Sequence, residues 1–248
     1  MHNPVVRVSP RRRTRLIAIS AIIGVILFAV AYQGYDGTSG LGLYDQPVLL
    51  FMVSIRADLL STIMGYATRL ASPEFLVPLT LVVMVIWVIA KREWWRPLLL
   101  GGGMALSAVF AYGLKALTAN PRPASSYMLP PLETSFSFPS GHVVGITALI
   151  FIFGYLLYSR HPERHSYVNW AVWGTLLVAF FAFTRLYLAA HWLTDVVAGF
   201  GIGLITLAIV AGVDWLVMGR HRGAHSARGM AAADANRENA TLDPQGRS

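Results

Sequence analysis

The sequence predicts an all-α fold, a bundle of six transmembrane helices with interfacial helices between the first and second spans. Of its 248 residues, 55% are hydrophobic and only 13% are charged, whereas soluble domains carry about 25% charged residues. The charges are also unevenly distributed, and they leave six long apolar stretches without any charge. This composition excludes a disordered chain and a nucleic-acid-binding domain, and it disfavours an ordinary soluble enzyme.

Each of the six apolar stretches predicts one membrane-spanning helix. A helix needs about 20 apolar residues to cross ~30 Å of hydrocarbon. Because hydrocarbon offers no hydrogen-bond partners, each span must satisfy its own backbone as a helix. The predicted spans are Leu16–Tyr32, Phe75–Ala90, Pro97–Leu114, Val143–Ser159, Ser166–Thr184 and Val196–Val213.

The first span has an alternative interpretation as a signal peptide. Its apolar run follows several arginines and ends in Ala29-Val30-Ala31, a pattern typical of a cleavage site. The run is longer than the usual apolar region of about 7–15 residues in a signal peptide, which favours a retained span. In both interpretations the chain begins in the cytoplasm.

The segment Leu43–Leu70, between the first and second spans, is not predicted to cross the membrane. It is interrupted by four charged residues, Asp45, Arg56, Asp58 and Arg69. Asp45 followed by Pro47 is typical of a helix start. We therefore predict one or two interfacial helices in this segment.

The distribution of Lys and Arg predicts that both termini are cytoplasmic. Fifteen of the 20 basic residues then fall on the cytoplasmic side, as expected from the Lys/Arg bias of short cytoplasmic loops. These fifteen are Arg7, Arg11, Arg12, Arg13, Arg15, Lys91, Arg92, Arg96, Arg160, Arg164, Arg220, Arg222, Arg228, Arg237 and Arg247. The organisation is a basic N-terminus (1–15), a membrane domain (16–218) and a cytoplasmic tail (219–248). We expect the tail to be disordered because it has no apolar periodicity.

Three of the five basic residues on the outer side stand at the ends of spans. Lys115 closes the third span and Arg185 ends the fifth. Arg122 lies between two prolines, which favour an extended turn that returns the chain to the membrane surface. Three fixed cations at one face indicate a site for a multiply charged anion, most simply phosphate.

Two histidines and one carboxylate accompany these cations. His142 follows Gly141 at the start of the fourth span, where helix N–H groups are open to an anion. His191 and Asp195 share a helix face at the start of the sixth span. A histidine held by an aspartate can act as a nucleophile, and a second histidine can protonate a leaving oxygen. Because positive charge dominates this set, we expect no metal and no other cofactor.

Three patterns in order resemble the signature motifs of the type 2 phosphatidic acid phosphatase superfamily, which shares its motif core with vanadium haloperoxidases. The patterns are Lys115-(six residues)-Arg122-Pro123, Pro139-Ser140-Gly141-His142 and Arg185-(five residues)-His191-(three residues)-Asp195. The motif core covers residues 115–195, and the six-span layout extends the similarity to about residues 16–217.

The resemblance implies a role for each motif residue. His191 would attack phosphorus to form a phosphohistidine, Asp195 would orient its ring, and His142 would protonate the departing oxygen. The phosphoryl oxygens would be held by Lys115, Arg122, Ser140, Gly141 and Arg185. The family has Ser where this chain has Thr184, so the contact made by Thr184 stays open. We interpret Glu74 and Glu133 as loop or cap charges.

The resemblance implies a metal-independent integral membrane phosphatase, and the distribution of Lys and Arg predicts that its active site lies at the outer face. Its substrate would be a lipid phosphate or diphosphate such as phosphatidate, phosphatidylglycerophosphate or undecaprenyl diphosphate. A lipid phosphotransferase and a non-hydrolytic anion- or lipid-binding membrane protein remain alternatives. The expected partners are the lipid bilayer and the lipid substrate, with no nucleic acid and no protein partner implied. We expect lipid specificity to lie in Leu43–Leu70 and Ala124–Phe138.

Overall fold

Helices account for all the regular structure in the described residues. The computed structural model describes the backbone of residues 10–159 and 164–242 and the side chains of residues 14–159 and 167–217. Within these ranges the helices are α1 (Pro10–Gln33), α2 (Asp45–Ser54), α3 (Asp58–Ala67), α4 (Pro73–Lys91), α5 (Trp95–Thr118), α6 (Gly141–Tyr158), α7 (Arg164–Tyr187) and α8 (Leu193–Leu242). Two short 3₁₀ helices, Gly40–Tyr44 and Thr68–Ala71, precede α2 and follow α3.

Six of these helices are long and apolar enough to cross a membrane. The six segments are Thr14–Gln33, Pro73–Lys91, Trp95–Thr118, Gly141–Tyr158, Tyr167–Tyr187 and Leu193–Val217. They coincide with the six predicted spans, and α2 and α3 occupy the charged segment between the first two spans. The all-α six-span architecture with short helices between spans 1 and 2 is therefore confirmed.

The C-terminal region differs from its prediction as a disordered tail from residue 219. The backbone continues as helix α8 to Leu242. Many residues of this stretch are Ala, Arg, Glu or Met, which have high intrinsic helix propensity, and propensity requires no apolar periodicity. The chain divides into one unit that ends at Ala211 and a second unit that begins at Gly212. Residues 1–9, the 160–163 connection and residues 243–248, which carry part of the predicted basic pattern, lie outside the described residues.

Helix α6 lies at the centre of the first unit. It packs against α4, α5 and α7, and 61% of its span is buried, whereas only 11% of the α1 span is buried. Its sequence is apolar on all sides, as expected for a helix surrounded by other helices. The first residue of α6 is Gly141, which is half-buried between buried Ser140 and buried His142 at one end of the bundle.

Close helix contact in the bundle depends on glycine. Gly24 of α1 and Gly201 of α8 face each other, and a Cβ added to either would lie 2.7 Å from the carbonyl oxygen of the other. Small residues at such a crossing allow two backbones to approach closely, which strengthens packing in a membrane. This contact fixes α8 at Gly201 against α1 at Gly24.

The loop between α5 and α6 folds back over the end of the bundle. Its two ends are joined by a hydrogen bond from the Ser137 N–H to the Asn120 carbonyl oxygen (2.8 Å). The Asn120 side chain donates to the Tyr35 carbonyl oxygen at 2.8 Å. The loop is therefore tied to α5, α6 and the end of α1, and its residues are held close to the predicted motifs.

Candidate active site

The motif residues converge at one end of the bundle, where α5 and α7 end and α6 and α8 begin. Lys115 lies in the last turn of α5 and Arg185 in the last turn of α7. Asp195 lies in the first turn of α8. Every one of the predicted motif side chains from Lys115 to Asp195 is buried or half-buried, which is unusual for so many ionisable groups.

His191 and Asp195 form a buried hydrogen-bonded pair. His191 lies in the short turn between α7 and α8, and its Nδ1 is 3.0 Å from the Asp195 Oδ2. The same oxygen accepts a hydrogen bond from the Trp192 N–H at 2.8 Å and another from the Ser137 hydroxyl. A carboxylate accepts hydrogen bonds, so Asp195 favours the tautomer of His191 that carries its hydrogen on Nδ1. This tautomer has a lone pair on Nε2.

The other ring nitrogen of His191 accepts a hydrogen bond from Arg122. Its Nε2 lies 3.1 Å from Nη1 of Arg122. Burial and the neighbouring positive charges of Arg122, Arg185 and Lys115 lower the pKa of His191 well below its usual value. The imidazole is therefore neutral at neutral pH, which is the form that can act as a nucleophile.

Arg122 and Arg185 share one carboxylate, that of Glu133. Arg122 Nη2 is 2.7 Å from Glu133 Oε2, and Arg185 Nη2 contacts Glu133 Oε1. Arg185 is fully buried, and its Nη1 donates to the Thr68 hydroxyl at 2.7 Å. Glu133 thus lies where the two guanidinium groups converge, which is the position that a phosphate group would need.

Glu133 and Ser137 are site residues that the sequence did not reveal, and both contact motif residues. Glu133 is a loop charge, as the sequence indicated, but its carboxylate also bonds directly to both arginines and lies 3.7 Å from Nδ1 of His142. Ser137 supports Asp195 and lies 3.4 Å from Nδ1 of His191. The only signal available was their position in the loop before Pro139, which does not predict a contact with α7 or α8.

Lys115 reaches the loop backbone rather than a carboxylate. Its Nζ donates to the carbonyl oxygens of Phe136 and Ser137, the latter at 3.1 Å. The ammonium group therefore holds the loop segment in which Ser137 reaches Asp195. The ammonium group has three N–H donors, and these two bonds leave the third available to an anion in the cavity that Lys115 lines.

The start of α6 has open hydrogen-bonding capacity. Ser140 is fully buried, and among the described residues neither its hydroxyl nor Nε of Arg185 has a hydrogen-bond partner. A Cβ added to Gly141 would meet no atom within 4 Å, so there is space at the first residue of the helix. Unpartnered buried donors beside an open helix N-terminus are suited to an anion.

Thr184, the position that departs from the family pattern, directs its hydroxyl into its own helix. The Thr184 Oγ1 donates to the Phe181 carbonyl oxygen at 2.7 Å, and the side chain is fully buried. This back-bond is an ordinary arrangement for Thr within a helix. The hydroxyl is therefore occupied within α7.

A cavity of about 770 Å³ leads away from the charged cluster. Its charged end includes Lys115, Glu133 and His142, and the rest is mainly apolar side chains of α4 and α5, such as Leu81 and Met104. The two segments in which we expected lipid specificity contribute only residues 68–69 and 131–135 of this lining. Most of the cavity wall thus comes from α4 and α5, outside both segments in which lipid specificity was expected.

A polar end and an apolar body are suited to an amphipathic ligand with a negatively charged head group. Lys115 and His142 line the polar end, and Arg122, Arg185 and the neutral imidazole of His191 belong to the adjoining charged cluster. Together these groups can bind a phosphoryl group and attack its phosphorus atom. The arrangement therefore has the groups needed for phosphoryl transfer from a lipid.

Comparisons with known proteins point in the same direction. The model of the PAP2 superfamily matches residues 96–218, a range that contains all the motif residues. Phosphatidylglycerophosphatase B of Bacillus subtilis is 27% identical over 194 residues, covering 77% of this chain and 94% of that protein. A shorter match of 70 residues, 29% identical, covers 28% of this chain and 26% of lipid A 4'-phosphatase of Porphyromonas gingivalis.

Two solved structures share the fold. The crystal structure of the transmembrane PAP2 type phosphatidylglycerolphosphate phosphatase from Bacillus subtilis matches with a TM-score of 0.62 and 24% identity, over 82% of this chain and 95% of that chain. The crystal structure of Aquifex aeolicus LpxE matches with a TM-score of 0.51 and 23% identity, over 67% and 93% of the two chains. At this level of identity the structures establish the architecture of the bundle.

Proposed function

This chain belongs to the PAP2 superfamily, and from that premise we propose that it hydrolyses a lipid phosphate at the outer membrane face through a phosphohistidine on His191. Membrane phosphatases among its relatives support the broader assignment as a lipid phosphate phosphatase. The choice of nucleophile, the side of the membrane and the substrate are the parts that the proposal adds.

The position of the His191 ring is the observation that supports the proposal best. Asp195 holds Nδ1 at 3.0 Å, and Nε2 is directed at Arg122 at 3.1 Å. A phosphoryl group held by Arg122 and Arg185 would therefore bring its phosphorus atom next to the nitrogen that carries the lone pair, which now accepts a hydrogen bond from Arg122. Such proximity and orientation can supply a large part of a catalytic rate.

In the first step Nε2 of His191 attacks phosphorus while the bond from phosphorus to the lipid oxygen breaks. Protonated His142 gives its proton to that oxygen and becomes neutral, so the lipid leaves as a neutral alcohol or as the lower phosphate. Lys115, Arg122 and Arg185, with the Ser140 hydroxyl and the Gly141 N–H, stabilise the charge on the phosphoryl oxygens. Asp195 stabilises the positive ring of the phosphohistidine.

In the second step water attacks the phosphohistidine. His142, now neutral, accepts a proton from this water as it bonds to phosphorus, and the bond between phosphorus and Nε2 breaks. Inorganic phosphate and the original protonation state of both histidines result. The proton that His142 gave to the lipid oxygen is thereby recovered from water.

Phosphatidylglycerophosphate is the first substrate to test. The relative that carries this activity in its name aligns along 94% of its own length. The mainly apolar wall of the cavity on α4 and α5 would receive an acyl chain, since apolar burial favours such a chain over water. Phosphatidate and undecaprenyl diphosphate are the comparison substrates, because they share the phosphate but differ in head group and tail.

The test is phosphate release by purified protein in detergent with a metal chelator, together with trapping of the labelled enzyme. Wild type should release phosphate and should carry an acid-labile label during turnover. His191→Ala should lose both, and Asp195→Asn should lose about 10⁴-fold in kcat, as in a comparable catalytic triad. Asp58→Asn, a matched charge change at an exposed residue, is the control. Phosphate release by His191→Ala at the wild-type rate would contradict the mechanism.

The outer-face assignment has its own test, because the chain contains no Cys. Ser126 lies in the loop beside the site and Lys91 at the opposite end of α4, and both are exposed. In intact cells a membrane-impermeant thiol reagent should label Ser126→Cys and not Lys91→Cys. The reverse pattern would place the active site in the cytoplasm.

A further inference from the structure

The turn between α7 and α8 is held in a conformation that its own sequence does not favour. Ala189 has a φ of +53° and is completely buried. Left-handed backbone is uncommon for a residue other than Gly and persists when the surrounding structure enforces it. His191 lies two residues further on, so whatever holds this turn also sets the position of His191.

Asp45 holds the α8 side of the turn. It is the first residue of α2, and its carboxylate is buried. Asp45 Oδ1 accepts the Thr194 N–H at 2.9 Å, and Oδ2 accepts the Thr194 hydroxyl at 2.8 Å. The N–H groups in the first turn of a helix have no partner within the helix. Asp45 therefore caps α8 from a distant part of the sequence, directly beside Asp195.

Arg56 holds the α7 side of the same turn. Its Nε and Nη2 donate to the Tyr187 carbonyl oxygen at 3.3 and 3.0 Å. The Tyr187 hydroxyl accepts the Ala57 N–H at 3.0 Å and lies 3.1 Å from the Ser61 hydroxyl. The connection between α2 and α3 is thus fixed to the last residue of α7, two residues after Arg185.

We propose that Asp45, at the start of α2, and Arg56, in the connection between α2 and α3, form a clamp that positions the catalytic turn, so that both are positioning residues. The inference rests on the proposed function, because it takes His191 as the nucleophile. The hydrogen bond from His191 to Asp195 joins the turn to α8, so a rotation of the first turn of α8 lengthens it. A displacement of about 1 Å in a reacting group can cost about 100-fold in rate.

The clamp differs from a merely stabilising contact in the kinetic parameter that it controls. Asp45 is not among the residues that line the cavity, and within the described residues its carboxylate bonds the start of α8, not the cations. Removing the Asp45 carboxylate should therefore lower kcat and leave KM for the lipid close to its wild-type value. A contact that only stabilises the fold would reduce the amount of active protein and leave kcat per folded molecule unchanged.

The experiment compares Asp45→Ala with Asp45→Asn in the full-length protein, using phosphatidylglycerophosphate or whichever lipid wild type hydrolyses fastest. Asp45→Ala should lose about 100-fold in kcat. Asp45→Asn should retain most of kcat, because the amide can accept the Thr194 N–H and donate to the Thr194 hydroxyl. The charge-matched control is Asp58→Asn, which should behave as wild type. Arg56→Gln should follow the Asp45→Ala pattern with a smaller loss.

Thr194 supplies a second, milder way to open the clamp. Thr194→Val should lower kcat severalfold and Thr194→Ser should restore it, which decides the question even if Asp45→Ala does not fold. The double variant Asp45→Ala/Thr194→Val should be no slower than Asp45→Ala, because the hydrogen bond that Thr194→Val removes is already absent in Asp45→Ala. Wild-type kcat in Asp45→Ala, or in Thr194→Val if Asp45→Ala does not fold, would overturn the clamp. So would an additive loss in the double variant.

The same experiment separates failure of the clamp from failure of the proposed function. His191→Ala is measured in parallel. If His191→Ala is inactive and Asp45→Ala has wild-type kcat, only the clamp is wrong. If His191→Ala remains active, the nucleophile itself is wrong, and the clamp falls with it.

Discussion

Two arginines are buried at opposite ends of the bundle, and their surroundings differ. Arg96, at the start of α5, contacts the Leu156 carbonyl oxygen and donates to the Ser159 hydroxyl at 3.0 Å. It also lies 3.5 Å from Glu93. These partners belong to the end of α6 and to the short connection before α5. Arg96 therefore caps a carbonyl group that the end of α6 leaves without a partner.

Arg185 lies at the other end with two more cations, Lys115 and Arg122. Its charged partner is Glu133, which comes from the loop between α5 and α6 and is shared with Arg122. A buried charge requires a compensating partner. At the Arg96 end that partner is part of a helix terminus, whereas at the Arg185 end it is a loop carboxylate that an incoming phosphate can replace. The comparison separates a structural arginine from one whose surroundings are suited to a ligand.

Replacing each arginine by glutamine should separate these roles most strongly. Arg185→Gln should lower kcat/KM by about 10³-fold, in the range found when a donor to a developing oxyanion is removed. Its thermal stability should be unchanged or higher, since a residue kept for function often costs stability. The measurements are kcat/KM for the lipid and the melting temperature of purified protein.

Arg96→Gln is the matched variant at the opposite end. It should lower stability by about 1–3 kcal/mol, because buried acceptors at the end of α6 lose their donor. The kcat of the folded fraction should stay close to the wild-type value. A large loss of kcat in Arg96→Gln, or a large loss of stability with normal kcat in Arg185→Gln, would reverse the assignment of the two ends.

A variant of Glu133 tests whether phosphate replaces this carboxylate between the two arginines. Its carboxylate bonds both arginines, so a bound phosphate must displace it. Glu133→Gln should therefore lower the inhibition constant of inorganic phosphate by about tenfold, which corresponds to about 1.4 kcal/mol of relieved competition. Glu74→Gln, at a residue that lines the same cavity, controls for the loss of one negative charge. Equal effects of both variants would mean that net charge, and not direct competition, sets phosphate affinity.

The two ends also show how far the sequence could predict this molecule. The spans were predictable because apolar length and interruption by charge are local properties, and α2 was signalled by Asp45 and Pro47. The motif residues at the ends of α5, α7 and α8 could be placed together because alternate span ends meet on one face. Glu133 and Ser137 could not be placed, since their loop has no periodicity and is folded by contacts such as that from Ser137 to Asn120.

Two further features could not be predicted from the sequence, also because no local pattern marks them. The contact between Asp45 and Thr194 spans 149 residues of sequence, and no local pattern marks its two ends as partners. An apolar side chain of α4 that lines the cavity, such as Leu81, has the same character as one that faces lipid. Long-range polar contacts and the inward or outward direction of apolar residues in a membrane therefore had to come from the structure.

The smallest expected effect concerns Thr184, one residue before Arg185. Its hydroxyl bonds the Phe181 carbonyl oxygen within α7, so we expect no contact with substrate. Thr184→Ser keeps the hydroxyl and removes one buried methyl group, which should lower stability by about 1 kcal/mol with no change in kcat/KM. Thr184→Val keeps the shape and removes the hydroxyl, and it should also leave kcat/KM unchanged. If Thr184→Val loses activity while its melting temperature holds, the hydroxyl must turn towards the substrate during catalysis. Thr184 would then belong with Arg185 to the groups that hold the phosphoryl oxygens.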